Sequence, residues 1–170
     1  MKKFPAKTLL AAAAIIALAG GFVVSLSAKP MAPAVQFTSL NGEKLSMADL
    51  HGKVVLVNFW ATDCPGCVAE MPDLIKTQQK YQAAGLTTVA VAMPHDRPDY
   101  VVSYTQKNAL PFFVTLDPTG QLGKAFNNVQ LTPTTFVIDK QGRILQRTVG
   151  VLDFAKLDAL IEKELGHQPS

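Results

Sequence analysis

The chain has only two cysteines, Cys64 and Cys67, and only three histidines, His51, His95 and His167. A zinc ion is usually held by four sulfur or nitrogen ligands, and no H-x(3 to 5)-H spacing supplies the missing pair, so the sequence argues against a metal site. No cofactor is expected either. Neither cysteine lies near the end of the apolar N-terminal stretch, which excludes a lipoprotein. Positive charge is also scarce. Without Lys2, Lys3 and Lys7, 13 basic residues face 13 acidic ones, so nucleic-acid binding has no electrostatic support. Past the leader there is no internal repeat and no low-complexity tract.

Charge is absent altogether from Thr8 to Ala28, a run of 21 residues. At about 1.5 Å of helix rise per residue, that run can cross a hydrocarbon core of about 30 Å. It exceeds the usual apolar core of a signal peptide, which favours an uncleaved N-terminal apolar helix as an inner-membrane anchor (residues 1–28, with 8–28 in the bilayer). A cleaved signal is the alternative, because Ser25-Leu26-Ser27 offers small residues for processing. Three lysines precede the segment, so the N-terminus is expected in the cytoplasm and the folded part outside it, at the periplasmic face or in an equivalent space. Residues 29–34, with Pro30 and Pro33, read as an extended tether. About 140 residues remain, enough for one domain with a sizeable core.

Both cysteines fall within V-V-L-V-N-F-W-A-T-D-C-P-G-C-V-A-E, Val54 to Glu70. The β-branched run Val54–Phe59 suits a buried strand, and the residues from Cys64 onward suit a helix. The thiols therefore sit where a strand hands over to a helix. Unpaired N–H groups and the positive end of the helix dipole stabilise a thiolate at Cys64 there. Pro65 is tolerated at a first helical position, and Gly66 keeps an N–H that can face the sulfur. The spacing lets the sulfurs close a small ring. A purely structural disulfide is the bland alternative, but a two-residue gap closes almost no loop and stabilises little.

The run N-F-W-A-T-D-C-P-G-C-V-A-E-M-P resembles the active-site segment of thioredoxin-fold proteins of the TlpA/ResA type, and the likeness extends from about Val35 to Leu165. Asp63 stands where that family usually has tryptophan; an acidic neighbour opposes the thiolate at Cys64. Alternating strands and helices independently argue for an α/β fold with a mixed sheet flanked by helices over residues 35–166. Val35–Ser39 reads as an edge strand, Asn41-Gly42 as a turn, and Ser46–Leu50 as a helical turn capped by Ser46. A helix from Cys64 is expected to kink at Pro72, continue to Ala84 and end at Gly85. Strands are expected at 87–92, 112–116, 134–138 and 144–149, and helices at 98–108, 121–126 and 153–165. The helix and strand at 98–116 resemble the insertion that TlpA-type proteins share with peroxiredoxins.

The resemblance also assigns roles. Thr132-Pro133 matches the cis-proline loop that faces the disulfide, so Thr132, Pro133 and Thr134 are expected to pair with a substrate chain as an added strand. Trp60, on the same substrate side, reads as a packing residue flanking the site. Glu70 lies three residues after Cys67, on the same side of a helix. A partly buried carboxylate there has a raised pKa and can exchange a proton with the resolving thiol, the role its counterpart has in the ResA branch. Asn58 occupies the position of thioredoxin's buried acid.

These expectations amount to an extracytoplasmic thiol-disulfide oxidoreductase that reduces client-protein disulfides and draws electrons from a membrane dithiol carrier of the DsbD or CcdA type. Two alternatives stand beside it. A thiol peroxidase is disfavoured because the P-x-x-x-T/S-x-x-C pattern would need proline at Val57 and a hydroxyl at Ala61. A membrane-tethered chaperone or assembly factor with an incidental disulfide is the other.

Overall fold

In the computed structural model, which describes residues 29–166, a two-stranded antiparallel ribbon opens the fold: β1 (Gln36–Thr38) and β2 (Lys44–Ser46). Its turn passes through Gly42 at φ +86°, a backbone region that suits glycine. The expected edge strand at 35–39 is thus shorter, and it pairs with β2 instead of extending the main sheet. A Ser39–Thr115 bridge, the Leu40 N–H donating to the Val114 carbonyl at 3.2 Å and the Thr38 N–H donating to Thr115 Oγ1 at 3.3 Å tie the ribbon to the edge of that sheet. Ser46 ends β2 rather than beginning the 3-10 turn at Ala48–Leu50. Its hydroxyl still braces that turn: it donates to Asp49 Oδ2 at 2.6 Å and accepts from the Asp49 N–H at 3.2 Å.

The main sheet follows from apolar runs. β3 (Val54–Trp60) is buried at every residue and lies at the centre of the strand order β5-β4-β3-β6-β7. After α1 (Pro65–Tyr81) and a 3-10 turn at Gln82–Ala84, Gly85 at φ +107° reverses the chain into β4 (Leu86–Ala92). The inserted unit is α2 (Pro98–Lys107) and β5 (Phe113–Leu116), followed by the short α3 (Gln121–Ala125). β3, β4 and β5 run parallel; β6 (Thr134–Ile138) and β7 (Ile144–Val149) add antiparallel pairs on the other side. The last helix, α4 (Phe154–Leu165), is capped by Asp153, which accepts from the Lys156 N–H at 3.2 Å. The sheet is therefore mixed and flanked by helices, as expected. The proposed anchor at 8–28 lies outside the described residues; among those described, no helix is long and apolar enough to cross a membrane.

Alternation along β3 separates two cores. Val54, Leu56 and Trp60 pack with Met71 and Leu74 of α1 and Leu157 and Ile161 of α4. Val55, Val57 and Phe59 face the other side, where Phe59 meets Phe126 and Phe136 edge-on and those two rings are tilted against each other, with centroids 5.1–6.0 Å apart. Each such fully buried side chain contributes about 1.5–3 kcal/mol. Asn58 has the parity of Leu56 and Trp60, which aims its polar side chain at α1.

The β6–β7 hairpin is clasped by Asp139, 1 % exposed. Its carboxylate accepts from the N–H groups of Gln141 (3.0 Å) and Arg143 (2.8 Å) and from Arg143 Nε (2.7 Å). Burial pushes the carboxyl up, but these bonds outweigh it and hold it below its ordinary value. Asp139→Ala is expected to cost about 3 kcal/mol in urea unfolding at neutral pH. A depressed pKa stabilises above the unfolded value of about 3.9, and that stabilisation is lost as pH falls through the folded value. Wild type and variant will converge in acid; equal stability at neutral pH would contradict the clasp.

Candidate active site

Cys64 is the N-cap of α1, with extended backbone at φ −96° and ψ 107°. Its sulfur accepts the Cys67 N–H at 3.2 Å, so the donor facing it is the Cys67 amide rather than that of Gly66. Pro65 takes the first helical position at no loss of a hydrogen bond. The two cysteines form a disulfide with Cα atoms 5.3 Å apart. They are unequal in exposure: Cys64 is half-buried, whereas Cys67 is fully buried among Trp60, Met71 and the residues of the helix-side core.

The Thr132–Pro133 peptide is cis. A side chain on Gly66 would meet Pro133 Cδ at 3.5 Å and Val151 Cγ2 at 3.2 Å, so the proline loop lies directly against the cysteine turn. Thr132 is half-buried, and among the described residues neither of its backbone polar groups has a protein partner. Leu131 and Val151 beside it are 66 % and 57 % exposed. The side chains of the two other residues expected on the substrate side lie inside the fold. Thr134 is fully buried, its hydroxyl donating to the Leu131 carbonyl at 2.7 Å. Trp60 is also fully buried, its ring 5.2 Å from that of Tyr104, so it packs beneath the cysteine turn.

Glu70 lies one turn beyond Cys67 and is 3 % exposed. Its Oε1 accepts from Asn58 Nδ2 at 3.1 Å and its Oε2 from the Leu152 N–H at 3.1 Å. Burial pushes the carboxyl above its ordinary value, and these two bonds offset part of that rise. Asn58 Nδ2 also donates to Thr135 Oγ1 at 2.9 Å. The roles of Leu152 and Thr135 escaped sequence reasoning: a backbone N–H leaves no trace in residue type, and Thr135 lies 77 positions from Asn58.

The loop after β4 braces the approach to Cys64. Asp96 accepts from the Thr62 N–H and hydroxyl, both at 2.6 Å. His95 Nε2 lies 3.5 Å from Asp63 Oδ1, so the unusual acid next to Cys64 has an imidazole beside it.

The Redoxin family model matches residues 27–161. The chain belongs to the Redoxin family. Among curated relatives, thiol-disulfide oxidoreductase ResA of Bacillus thuringiensis subsp. konkukian is 33 % identical over 133 residues, 78 % of this chain and 75 % of the relative. Thioredoxin-like protein YneN of Bacillus subtilis is 33 % identical over 141 residues, 82 % of this chain and 81 % of the relative. Among solved structures, a thiol:disulfide interchange protein of Chlorobium tepidum superposes with a TM-score of 0.75 at 31 % identity, covering 82 % of this chain and 99 % of that one. This Redoxin chain is a thiol-disulfide oxidoreductase of the ResA type with a thioredoxin-like fold.

Because burial raises the Glu70 pKa, the folded chain keeps this proton at pH values where the unfolded chain has lost it. Stability therefore falls as pH rises from the unfolded value of about 4.3 through the folded one. In the disulfide form neither cysteine titrates. Glu70→Gln is expected to remove that slope, gaining stability relative to wild type as pH rises across this window. A difference in urea midpoints that stays flat with pH would contradict the assignment.

Proposed function

We propose that this domain reduces disulfides of client proteins outside the cytoplasmic membrane. In this reading residues 1–28 anchor it, 29–34 form the tether, and 35–166 carry the chemistry. The observation that carries the proposal is the unequal pair: a half-exposed Cys64 at a helix N-terminus, with a buried Cys67 one turn from a buried acid.

In the reduced enzyme the Cys64 thiolate attacks one sulfur of a client disulfide. A Cys64–client bond forms, the client S–S bond breaks, and the other client sulfur leaves as a thiolate. Glu70 accepts the Cys67 proton, and the resulting Cys67 thiolate attacks Cys64 Sγ. The enzyme disulfide re-forms and the client leaves with both sulfurs reduced. A membrane dithiol carrier of the DsbD or CcdA type then supplies two electrons to reopen Cys64–Cys67. The Thr132 backbone pairs with the client as an added strand, and Pro133 packs against the cysteine turn, closing off its other side.

Cys67→Ser keeps the attack and removes the resolution, so a disulfide-bearing client will accumulate as a mixed disulfide on Cys64, released by dithiothreitol on a non-reducing gel. Glu70→Gln is expected to slow client release about 100-fold near neutral pH, with the Cys64 attack rate unchanged in stopped-flow mixing. Release at the wild-type rate would remove Glu70 from the mechanism, and absence of a trapped species would remove Cys64 as the attacking group.

A further inference from the structure

The amide of Asn58 is fully buried and its two ends are unequally served. Nδ2 donates to both Glu70 Oε1 and Thr135 Oγ1, while Oδ1 is buried without a hydrogen-bond partner. Buried polar atoms are almost always paired, so the unpaired oxygen calls for a reason. A carboxamide offers two donors from its nitrogen and, after a half-turn about its last bond, two acceptor lone pairs from its oxygen in the same place. Of its two neighbours, the Thr135 hydroxyl both accepts and donates, and Glu70 accepts when ionised and gains a donor when protonated.

Two arrangements of the three groups follow. With Glu70 ionised, Nδ2 meets two acceptors. With Glu70 protonated on Oε1, the inverted amide presents Oδ1 to two donors, the carboxyl and the threonine hydroxyl. The side of the amide away from Glu70 and Thr135 holds the unpaired oxygen in the first arrangement and the nitrogen in the second. The Leu152 N–H, fixed in the backbone, requires Oε2 to accept in both states. The proton is thereby directed to Oε1, the atom that faces Asn58.

We infer that Asn58 is a positioning residue that inverts its amide, together with the Thr135 hydroxyl, each time Glu70 gains or loses its proton. The buried acid is then hydrogen-bonded in both states, and α1 stays packed on β3 while the proton moves. The inference deepens, and rests on, the reading of Glu70 as proton carrier for Cys67. The groups facing the carboxyl are Asn58 from β3, with Thr135 of β6 behind it, and the Leu152 N–H ahead of α4; on its own helix lie Cys64 and Cys67, silent in the disulfide form. Among the described residues, burial raises the Glu70 pKa and the Leu152 and Asn58 hydrogen bonds lower it.

The test is an NMR titration of the full chain in detergent solution, in the disulfide form, with labelled asparagine side-chain amides and glutamate carboxyls. Nuclear Overhauser contacts from the Asn58 amide hydrogens to the Glu70 and Thr135 side chains are expected above the Glu70 midpoint and lost below it. In Glu70→Gln, whose amide presents a donor to Asn58 at every pH, the low-pH pattern will persist throughout. Asn58→Leu removes a partner from both forms of Glu70, so the inversion expects the midpoint to rise only by the difference between a charged and a neutral hydrogen bond, less than the loss of a fixed donor to the carboxylate alone would give. Contacts that persist unchanged through the midpoint would overturn the inversion. Inversion accompanied by client release that ignores Glu70→Gln would uphold it and instead overturn the proton-carrier role, so the two failures are distinguishable.

Discussion

One carboxylate joins three parts of the chain that are remote in sequence. Glu70 projects from α1, is met by Asn58 from the central strand, and receives the Leu152 N–H from the segment that leads into α4. An unpaired buried carboxylate is costly, and these donors make its burial tolerable. The same constraint sets how α1 sits on the sheet. Cys64 and Cys67 belong to the first turn of that helix, so the position of the dithiol is coupled to the position of the acid.

The rest of the fold maintains an asymmetry between the two sulfurs. β3 is buried along its whole length, which places its C-terminal end and the start of α1 at an edge of the core rather than on a free loop. Cys67 inherits the packing of Trp60 and Met71, while Cys64 is half-exposed on the turn whose Gly66 lies against the cis-proline loop. An exposed thiolate at a helix N-terminus is suited to attack, and a buried thiol needs a local base before it can respond. Asp63 works against the helix end at the same cysteine. In the proposed reading, destabilising the thiolate weakens the reduced form and is expected to shift the couple toward a reducing potential.

How much of this was legible in the sequence depended on whether a signal was local. The β-branched run of β3, the Asp153 cap and the Asp139-Lys140-Gln141-Gly142 turn each name their element within a few residues, and the structure places them there. β2 was missed because Lys44–Ser46 carries one apolar residue and pairs only with another three-residue strand. Glu70 was found by its helical spacing from Cys67. Its relation to Asn58 was not, because a bond across 12 positions between helix and strand depends on how the two elements pack. Thr134 was placed on the client side by the resemblance of the proline loop, and Trp60 by its place just ahead of the cysteines. The pleat turns both inward, so proximity along a strand did not translate into exposure.

The central claim is that a half-exposed cysteine burdened by Asp63 and a buried cysteine served by Glu70 form a couple that donates electrons. Its most direct test is the equilibrium redox potential of Cys64/Cys67, taken against glutathione or dithiothreitol series at neutral pH. The account expects a value near that of thioredoxin, about −270 mV. A value near that of DsbA, about −120 mV, would contradict it and make the protein an oxidant of its clients.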